Sequence, residues 1–252
     1  MNWYFMKGKN VMKRFEKSSE LLWIFGTLFV ALGVSICSKA DLGVSMIAAP
    51  AFVISEAISS LWSGFSVGVT EYIIQGILLV VLCLVIRKFD WRYLLGFAVA
   101  VLYGYTLDFF LWALGGISFN AVWLRYVMLI VGDIVTATGV ACFFRTYMPL
   151  QIYELFVAEL SFSFKLNINK TKSGFDIALL VVSIVLAFTL FGDVTTFDWS
   201  TITYKSFHSI GIGTIITTLI NSPIIAIMGR LIDKIFGREP MYPKLKEKLS
   251  RN

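Results

Sequence analysis

The sequence predicts an all-α, polytopic transmembrane helical bundle. Of its 252 residues 58% are hydrophobic and only 15% are charged, whereas soluble domains have roughly 45–50% apolar and about 25% charged residues. The apolar residues cluster into runs long enough to cross a bilayer, and many basic residues lie near the two ends of the chain. This composition excludes an ordinary soluble domain, and the aromatic content of 15% excludes a disordered chain.

Six stretches come close to the roughly 20 apolar residues that a helix needs to cross a membrane. In order along the chain they are residues 21–38, 68–86, 93–115, 121–143, 174–192 and 207–230. Two shorter stretches, residues 45–62 and 149–164, carry acidic or hydroxyl residues within them. They predict either thin spans or re-entrant helices, whose polar residues would face a cavity rather than lipid.

The distribution of basic residues favours six spans, because short cytoplasmic loops are rich in Lys and Arg. With six spans and both termini cytoplasmic, 19 of the 22 Lys and Arg residues lie on the cytoplasmic side, whereas eight full spans leave 16 there. The net charge of +6 therefore indicates orientation beside anionic lipid and not nucleic-acid binding. The expected segments are a basic N-terminal segment (residues 1–20), two three-span halves (21–116 and 117–232) and a basic C-terminal tail (233–252).

The two halves align with each other at an offset of about 106 residues. Residues 33–39 align with residues 139–145, and each run begins with Gly and ends in a cation. Further on, residues 96–104 align with residues 213–221, where a longer loop has increased the offset to 117. Three spans per half is an odd number, so the second half would enter the membrane from the opposite side. The sequence thus predicts an inverted internal repeat, a construction that transporters use.

Three short motifs resemble those of the YczE/YitT-like multipass membrane proteins of bacteria. They are Ala-Leu-Gly-Val-Ser-Ile-Cys-Ser-Lys-Ala-Asp-Leu-Gly-Val (31–44), Gly-Ile-Gly-Thr (211–214) and Asn-Ser-Pro-Ile-Ile (221–225). Members of that family often continue Leu-Gly-Val with Gly-Pro-Trp-Asp, whereas this chain has Ser-Met-Ile-Ala (45–48) and lacks the acidic residue. The resemblance covers most of the chain by layout. It implies an integral protein of the bacterial cytoplasmic (inner) membrane and assigns no activity.

Two aspartates lie within predicted spans, where ionisable groups cost roughly 2.5–3.5 kcal/mol on insertion scales and mark function by default. Asp133 lies about 12 residues, or about 18 Å of helix, from either end of its span, too far for its side chain to reach the interface. Asp108 is the second candidate and precedes an aromatic run that could place it near the interface. For both, a substrate, ion or proton site stands beside a structural polar contact as the alternative.

Lys39 and Arg145 form a pseudo-symmetric pair of cations, each just before a short segment. A cation beside the N-terminus of a short helix would make an anion site, because that end of a helix carries a partial positive charge. The alternative is that Lys39 pairs with Asp41 at the interface, while Arg145 follows the positive-inside bias. Asp41, next to Lys39, and Glu154, in the second short segment, complete the candidate substrate- or ion-binding residues.

Glu71 and Asp176 each open a long span after a polar loop, where a carboxylate favours the N-terminal helix dipole. We expect this role to explain them. The sequence contains no HExxH, GxSxG, P-loop or GxGxxG motif. Its three cysteines lie in apolar stretches without ligand spacing. We therefore expect no enzyme activity, no cofactor and no metal site.

These observations favour a transporter of a small solute, anionic or zwitterionic, that works by alternating access and is coupled to an ion gradient. The expected partners are the lipid bilayer and a small-molecule substrate, with a homo-oligomer or a partner membrane protein left open. Two alternatives remain: a non-transporting membrane partner that assembles with or regulates another membrane protein, and a passive channel. A polar cavity lined by both Asp133 and Asp108 would favour transport, and a tightly packed apolar interior with both aspartates paired would favour the partner. A continuous wetted pore would favour the channel.

Overall fold

A computed structural model describes residues 19–59, 62, 64–191, 197–198, 203–204, 209–237 and 239–249. The N-terminal basic segment before residue 19, and the first residues of the predicted 207–230 span, lie outside the described residues. The helices are α1 (Ser19–Lys39), α2 (Ala49–Ser59), α3 (Val67–Ile86), α4 (Arg92–Ala113), α5 (Val122–Phe143), α6 (Ile152–Ser163), α7 (Ile168–Phe191), α8 (Ile212–Ile235) and α9 (Pro243–Leu249). Two short strands, β1 (Phe197–Asp198) and β2 (Thr203–Tyr204), pair antiparallel.

Six of these helices are long and apolar enough to cross a membrane: α1, α3, α4, α5, α7 and α8. Large apolar side chains stay exposed on their outer faces; Leu84 is 70% exposed and Trp112 is 78% exposed. Such a surface suits a lipid environment, because water does not tolerate so much exposed apolar area. The predicted all-α, multipass membrane bundle is confirmed.

The start of α7 differs from the predicted boundary at residue 174, because the helix begins at Ile168. The Asn167 side chain accepts hydrogen bonds from the backbone N–H groups of Asn169 (3.0 Å) and Lys170 (3.4 Å). An Asn in this position satisfies donors that a helix start leaves free. Hydropathy missed this first turn because Lys170 and Lys172 are basic. Lys172 consequently lies inside the helix and not in a cytoplasmic loop.

The two short segments form helices of 11 residues (α2) and 12 residues (α6). At a rise of 1.5 Å per residue each is about 17 Å long, which is too short to cross a hydrocarbon core of about 30 Å. Pro50 lies in the first turn of α2, and Pro149 precedes α6, positions where proline does not disrupt a helix. A non-helical segment thus precedes each short helix, and we call this segment the break before that helix.

Helix α2 returns to the side of the bundle from which the chain came. We call the side of the bundle where α1 begins the N-side. At the other side, Lys39 at the end of α1 donates to the carbonyl of Gly115 after α4, and Asp108 in the last turns of α4 contacts Gly68 at the start of α3. The α1 end and the α3 start therefore lie on one side, so α2 enters and leaves the bundle there.

Helices α1 and α5 form the central antiparallel pair and pack along each other more extensively than any other two helices. Glycines permit this close approach. A Cβ on Gly33 would lie 2.6 Å from the Gly132 carbonyl oxygen, and a Cβ on Gly139 would lie 2.8 Å from the Gly26 carbonyl oxygen. Small residues are what membrane helices use to bring backbones together. Gly26 and Gly33 match Gly132 and Gly139 at the predicted offset of 106.

Most of the remaining helix contacts keep the same scheme when the halves are exchanged; the contact of α4 with α6 has no counterpart of similar extent between α8 and α2. Helix α3 packs on α4 as α7 packs on α8, α4 packs on α1 as α8 packs on α5, and α2 packs on α7 as α6 packs on α3. A Cβ on Gly96 of α4 would lie 2.8 Å from the Leu150 carbonyl oxygen, and one on Gly213 of α8 would lie 2.8 Å from the Leu42 carbonyl oxygen. Each half thus packs its last span against the break before the other half's short helix.

The break before α2 is bonded to the start of α8. Val44 donates its N–H to the Ser209 carbonyl (2.9 Å), and Gly213 donates to the Leu42 carbonyl (2.7 Å). Gly43 has a φ of 107°, and a Cβ there would lie 2.4 Å from the Gly211 nitrogen. Only glycine fits a positive φ and so close a backbone without strain. The motif at 31–44 and the motif at 211–214 therefore meet in space.

Candidate functional site

Asp133 lies at the middle of α5 and is fully buried, with 0% of its surface exposed. It shares the buried face of α5 with Leu129 and Thr136, because residues three and four apart lie on one side of a helix. Among the residues that the structure describes, neither carboxylate oxygen of Asp133 has a hydrogen-bond partner. Asp133 interacts electrostatically with Lys172 and Asp176. It therefore faces the interior of the bundle and not lipid.

Lys172 and Asp176 of α7 form a buried ion pair one helical turn apart. The Lys172 Nζ lies 2.6 Å from the Asp176 Oδ1, and the side chains are 3% and 0% exposed. The second Asp176 oxygen, Oδ2, has no hydrogen-bond partner in the described part of the chain. The Lys172 ammonium also lies 5.7 Å from the centre of the Phe175 ring, within the range of a cation–π interaction. This ion pair places an ammonium group within electrostatic range of Asp133.

The first turn of α6 adds a third carboxyl group to this region and contacts a fourth, which belongs to α3. Glu154 is 1% exposed, interacts electrostatically with Lys172 and Asp176, and leaves its Oε2 without a partner among the described residues. The neighbouring Tyr153 donates its hydroxyl to Glu71 Oε2 of α3 at 2.9 Å. Tyr103 of α4 is fully buried and interacts electrostatically with Glu71 and Glu154.

We call Glu71, Asp133, Tyr153, Glu154, Lys172 and Asp176 the acidic network. Its members come from α3, α5, α6 and α7, and each is at most 2% exposed. It contains four carboxyl groups and one ammonium group. Burying an unpaired charge is costly even by the most lenient membrane scales, at roughly 2.5–3.5 kcal/mol per group. A charge imbalance of this kind at the centre of a bundle is a feature of functional sites.

The structure separates Lys39 and Arg145, the predicted anion-binding pair. Because α1 and α5 are antiparallel, Lys39 lies at the end of α1 on one side and Arg145 lies on the N-side. Arg145 forms two hydrogen bonds to Asp233 of α8, at 3.0 and 3.1 Å, across Gly229. Asp41 pairs with Arg125 at 2.9 Å and not with Lys39. The expected Lys39–Asp41 pairing is wrong, since the left-handed turn at Asp41 directs it toward the start of α5.

Asp108 has a structural partner set at the start of α3. Its Oδ2 accepts from the Ser66 hydroxyl at 2.6 Å, and its Oδ1 accepts from the Gly68 N–H at 2.8 Å. The carboxylate thus satisfies free donors at a helix N-terminus and favours its dipole. Of the two predicted intramembrane aspartates, Asp133 lies in the acidic network and Asp108 tethers α4 to α3.

Replacing Asp108 should therefore lower stability. We expect Asp108→Ala to decrease the free energy of unfolding by about 1–2 kcal/mol, because it removes both acceptors of a helix cap. Thermal unfolding of the purified protein measures this change. Asp108→Asn keeps one carbonyl acceptor and should lose less. Equal thermal unfolding midpoints for wild type and Asp108→Ala would show that the cap contributes nothing to stability.

A second set of hydrogen bonds joins three segments on the N-side. Glu20 of α1 accepts from the Tyr147 hydroxyl and from the backbone N–H groups of Met241 (2.9 Å) and Tyr242 (3.0 Å). Burial and the adjacent Glu20 carboxylate raise the pKa of the Tyr147 phenol above its usual value. Tyr147 therefore stays protonated and donates this bond. These contacts join α1, the loop after α5 and the C-terminal segment.

Sequence reasoning missed several members of the acidic network. Glu71 and Asp176 were expected to act at helix starts, but both are fully buried inside the bundle. Asp176 is the ninth residue of α7, since the helix begins at Ile168. The Lys172 and Asp176 spacing of four residues was a usable signal, because it puts both on one helix face. Nothing local indicated that the Tyr153 side chain reaches Glu71.

The corresponding region of the other half is neutral. Near the start of α2, Asn221 of α8 contacts the Met46 sulfur at 3.8 Å. The buried polar side chains of α8 are Thr214, Thr217, Thr218, Asn221 and Ser222. Across the residues described, no three His, Cys, Asp or Glu side chains form a group that could hold a metal ion. Among the described residues, the buried ionisable side chains of the interior thus lie mainly around the start of α6.

Comparison with known proteins gives a family and no activity. The profile of DUF6198, a family of unknown function, matches residues 17–230. No curated protein and no solved structure matches the chain. The match runs from the start of α1 into α8, so it includes every helix that contributes to the acidic network. The chain therefore belongs to DUF6198, a family of unknown function.

Proposed function

We propose that this protein is a transporter that moves a small solute across a membrane by alternating access and is driven by an ion gradient. The observation that carries the proposal is Asp133, a fully buried carboxyl group at the middle of a span with no hydrogen-bond partner among the described residues. A group that only fixed helix packing would be bonded to a neighbour, as Asp108 is. A free carboxyl group can instead bind a proton or a substrate.

The helix arrangement supports this proposal. Most contacts between helices keep the same scheme when the halves are exchanged, and the α1 and α5 pair is antiparallel, as an inverted repeat requires. Inverted repeats allow two halves to rock about a site at their interface. The acidic network lies at such an interface, because Glu71 of the first half bonds Tyr153 of the second.

The proposed orientation places both termini in the cytoplasm of a bacterial cell, with the protein in its inner membrane. The basic residues before α1 and after α8 support this orientation by the positive-inside rule. Lys172 does not contribute to it, because its ammonium group is buried and paired with Asp176. Uptake of the substrate into vesicles that hold the protein in one known orientation would give the direction of transport.

Transport by the purified full-length chain in liposomes tests the proposal. Uptake of radiolabelled amino acids, alkylamines and short carboxylic acids is measured in turn under an imposed pH gradient. We expect uptake of at least one class, and a protonophore should abolish it. Asp133→Asn should reduce this uptake at least tenfold, because its amide cannot exchange a proton.

Glu56→Gln is the matched control for Asp133→Asn. It makes the same change of carboxylate to amide on the other short helix, at an exposed residue bonded to Ser209. We expect it to keep the wild-type uptake. Absence of uptake for all three solute classes by folded wild-type protein would contradict a transport function and favour a non-transporting membrane partner.

A further inference from the structure

We infer that the acidic network is a binding site for a small organic cation with a primary amine group, which exchanges with protons. This inference rests on the proposed transport function and names its substrate class and coupling ion. It differs from the anionic or zwitterionic substrate that the sequence predicted from Lys39 and Arg145. The structure places those two cations at opposite ends of the bundle, outside the network.

The balance of buried groups is the first argument. The network holds four carboxyl groups against the single ammonium group of Lys172, and that group is already bonded to Asp176 at 2.6 Å. Asp133, Glu154 and Glu71 each keep at least one oxygen without a partner in the described residues. Unpaired carboxylates are not stable in a membrane interior, so protons or a bound cation must neutralise them. No anionic group would be attracted to this site.

The surroundings of Lys172 are the second argument, because its ammonium group is itself a primary amine. It is held by the Asp176 carboxylate and lies over the face of the Phe175 ring. Phe156 and Tyr153 pack against the same ring, with centroid distances of 5.2 and 6.2 Å. Carboxylates combined with aromatic faces are what proteins use to bind organic cations. The site thus already accommodates the chemical group that we assign to its ligand.

Proton exchange follows from the groups that face the network. They come from every helix packed around it: Cys37 of α1, Glu71 of α3, Tyr103 of α4, Asp133 of α5, Tyr153 and Glu154 of α6, and Lys172 and Asp176 of α7. Helix α8 adds only neutral buried polar side chains, and α2 adds only Ser55. With the carboxyl groups in excess, a cation that enters displaces protons from them. Raising the pH removes the competing protons and strengthens cation binding.

Calorimetry on the full-length protein in nanodiscs tests the inference with propylammonium as the probe. We expect propylammonium to bind and to release about one proton, so that its affinity rises about tenfold per pH unit between pH 6 and pH 8. Titration in two buffers with different ionisation enthalpies counts the protons released. Asp133→Asn should weaken binding at least tenfold, and Glu56→Gln should leave it unchanged. Propionate, of the same length and opposite charge, should not bind.

Each of four outcomes in the binding experiment would overturn the inference. They are binding of propionate in place of propylammonium, propylammonium binding that is independent of pH, equal binding by wild type and Asp133→Asn, and competition of sodium with propylammonium at equal concentrations, which would assign the site to an inorganic cation. If carboxylic acids are taken up into liposomes while propylammonium does not bind, the transport function stands and this inference also fails. If propylammonium binds but no solute is taken up, the cation site stands and the transport function fails.

Discussion

Lys172→Met is expected to destabilise the protein by about 3–5 kcal/mol, because it leaves a buried carboxylate without its partner. Lys172 is 2% exposed, and Asp176, which it contacts at 2.6 Å, is fully buried. Methionine fills a similar volume, so the change removes the charge and keeps the packing. Unfolding of the purified protein in a mixed-micelle SDS titration, followed by tryptophan fluorescence, measures the loss.

The double variant Lys172→Met/Asp176→Asn tests the cause. Removing both charges leaves no uncompensated carboxylate, so we expect the double variant to be more stable than Lys172→Met alone. A double-mutant cycle then gives the coupling energy between the two side chains. Additive effects of the two single changes would show that the ion pair contributes nothing to stability, whatever the distance between its atoms.

Gly139→Ala is expected to lower the free energy of unfolding by about 3 kcal/mol, at the upper end of the cost of overpacking. A Cβ at this position would lie 2.7 Å from the Val30 nitrogen and 2.8 Å from the Gly26 carbonyl oxygen. Both atoms belong to the backbone of α1, so the clash cannot be relieved by rotating a side chain. The helices must separate, and the centre of the bundle loses its packing.

Gly174→Ala provides the matched control within another long helix. Among the described residues no heavy atom lies within 4 Å of a Cβ built at Gly174. Alanine should therefore leave stability unchanged or raise it by about 0.5–1 kcal/mol through its higher helix propensity. Thermal unfolding of both variants gives the comparison. If Gly139→Ala unfolds at the same temperature as Gly174→Ala, the close approach of α1 and α5 is not needed for stability.

Much of the fold could be predicted from the sequence, because the physical rule that governs it is local. A run of about 20 apolar residues must be helical in lipid, where every backbone polar group needs an internal partner. The six long helices and the two short ones appear where hydropathy and length predicted them. Boundaries were missed where polar residues continue a helix, as at Lys172, since hydropathy does not register a buried ion pair.

The candidate site was only partly predictable. Asp133 was identified because depth within a span follows from counting residues, and burial agrees with that expectation. Asp108 was the second candidate in the sequence, but it caps α3 through Ser66 and Gly68. Whether an intramembrane aspartate is bonded or free depends on a helix about 40 residues away. No pattern within its own span contains that information.

By itself the sequence determined that the chain is a multipass α-helical membrane protein and that its interior contains a carboxyl group at mid-span. Hydropathy and helix length suffice for this, since each concerns one segment and its solvent. Only the tertiary structure decided which charges meet. It brought Asp133, Glu154, Lys172 and Asp176 within electrostatic range of one another, because their positions depend on how helices distant in the sequence pack together.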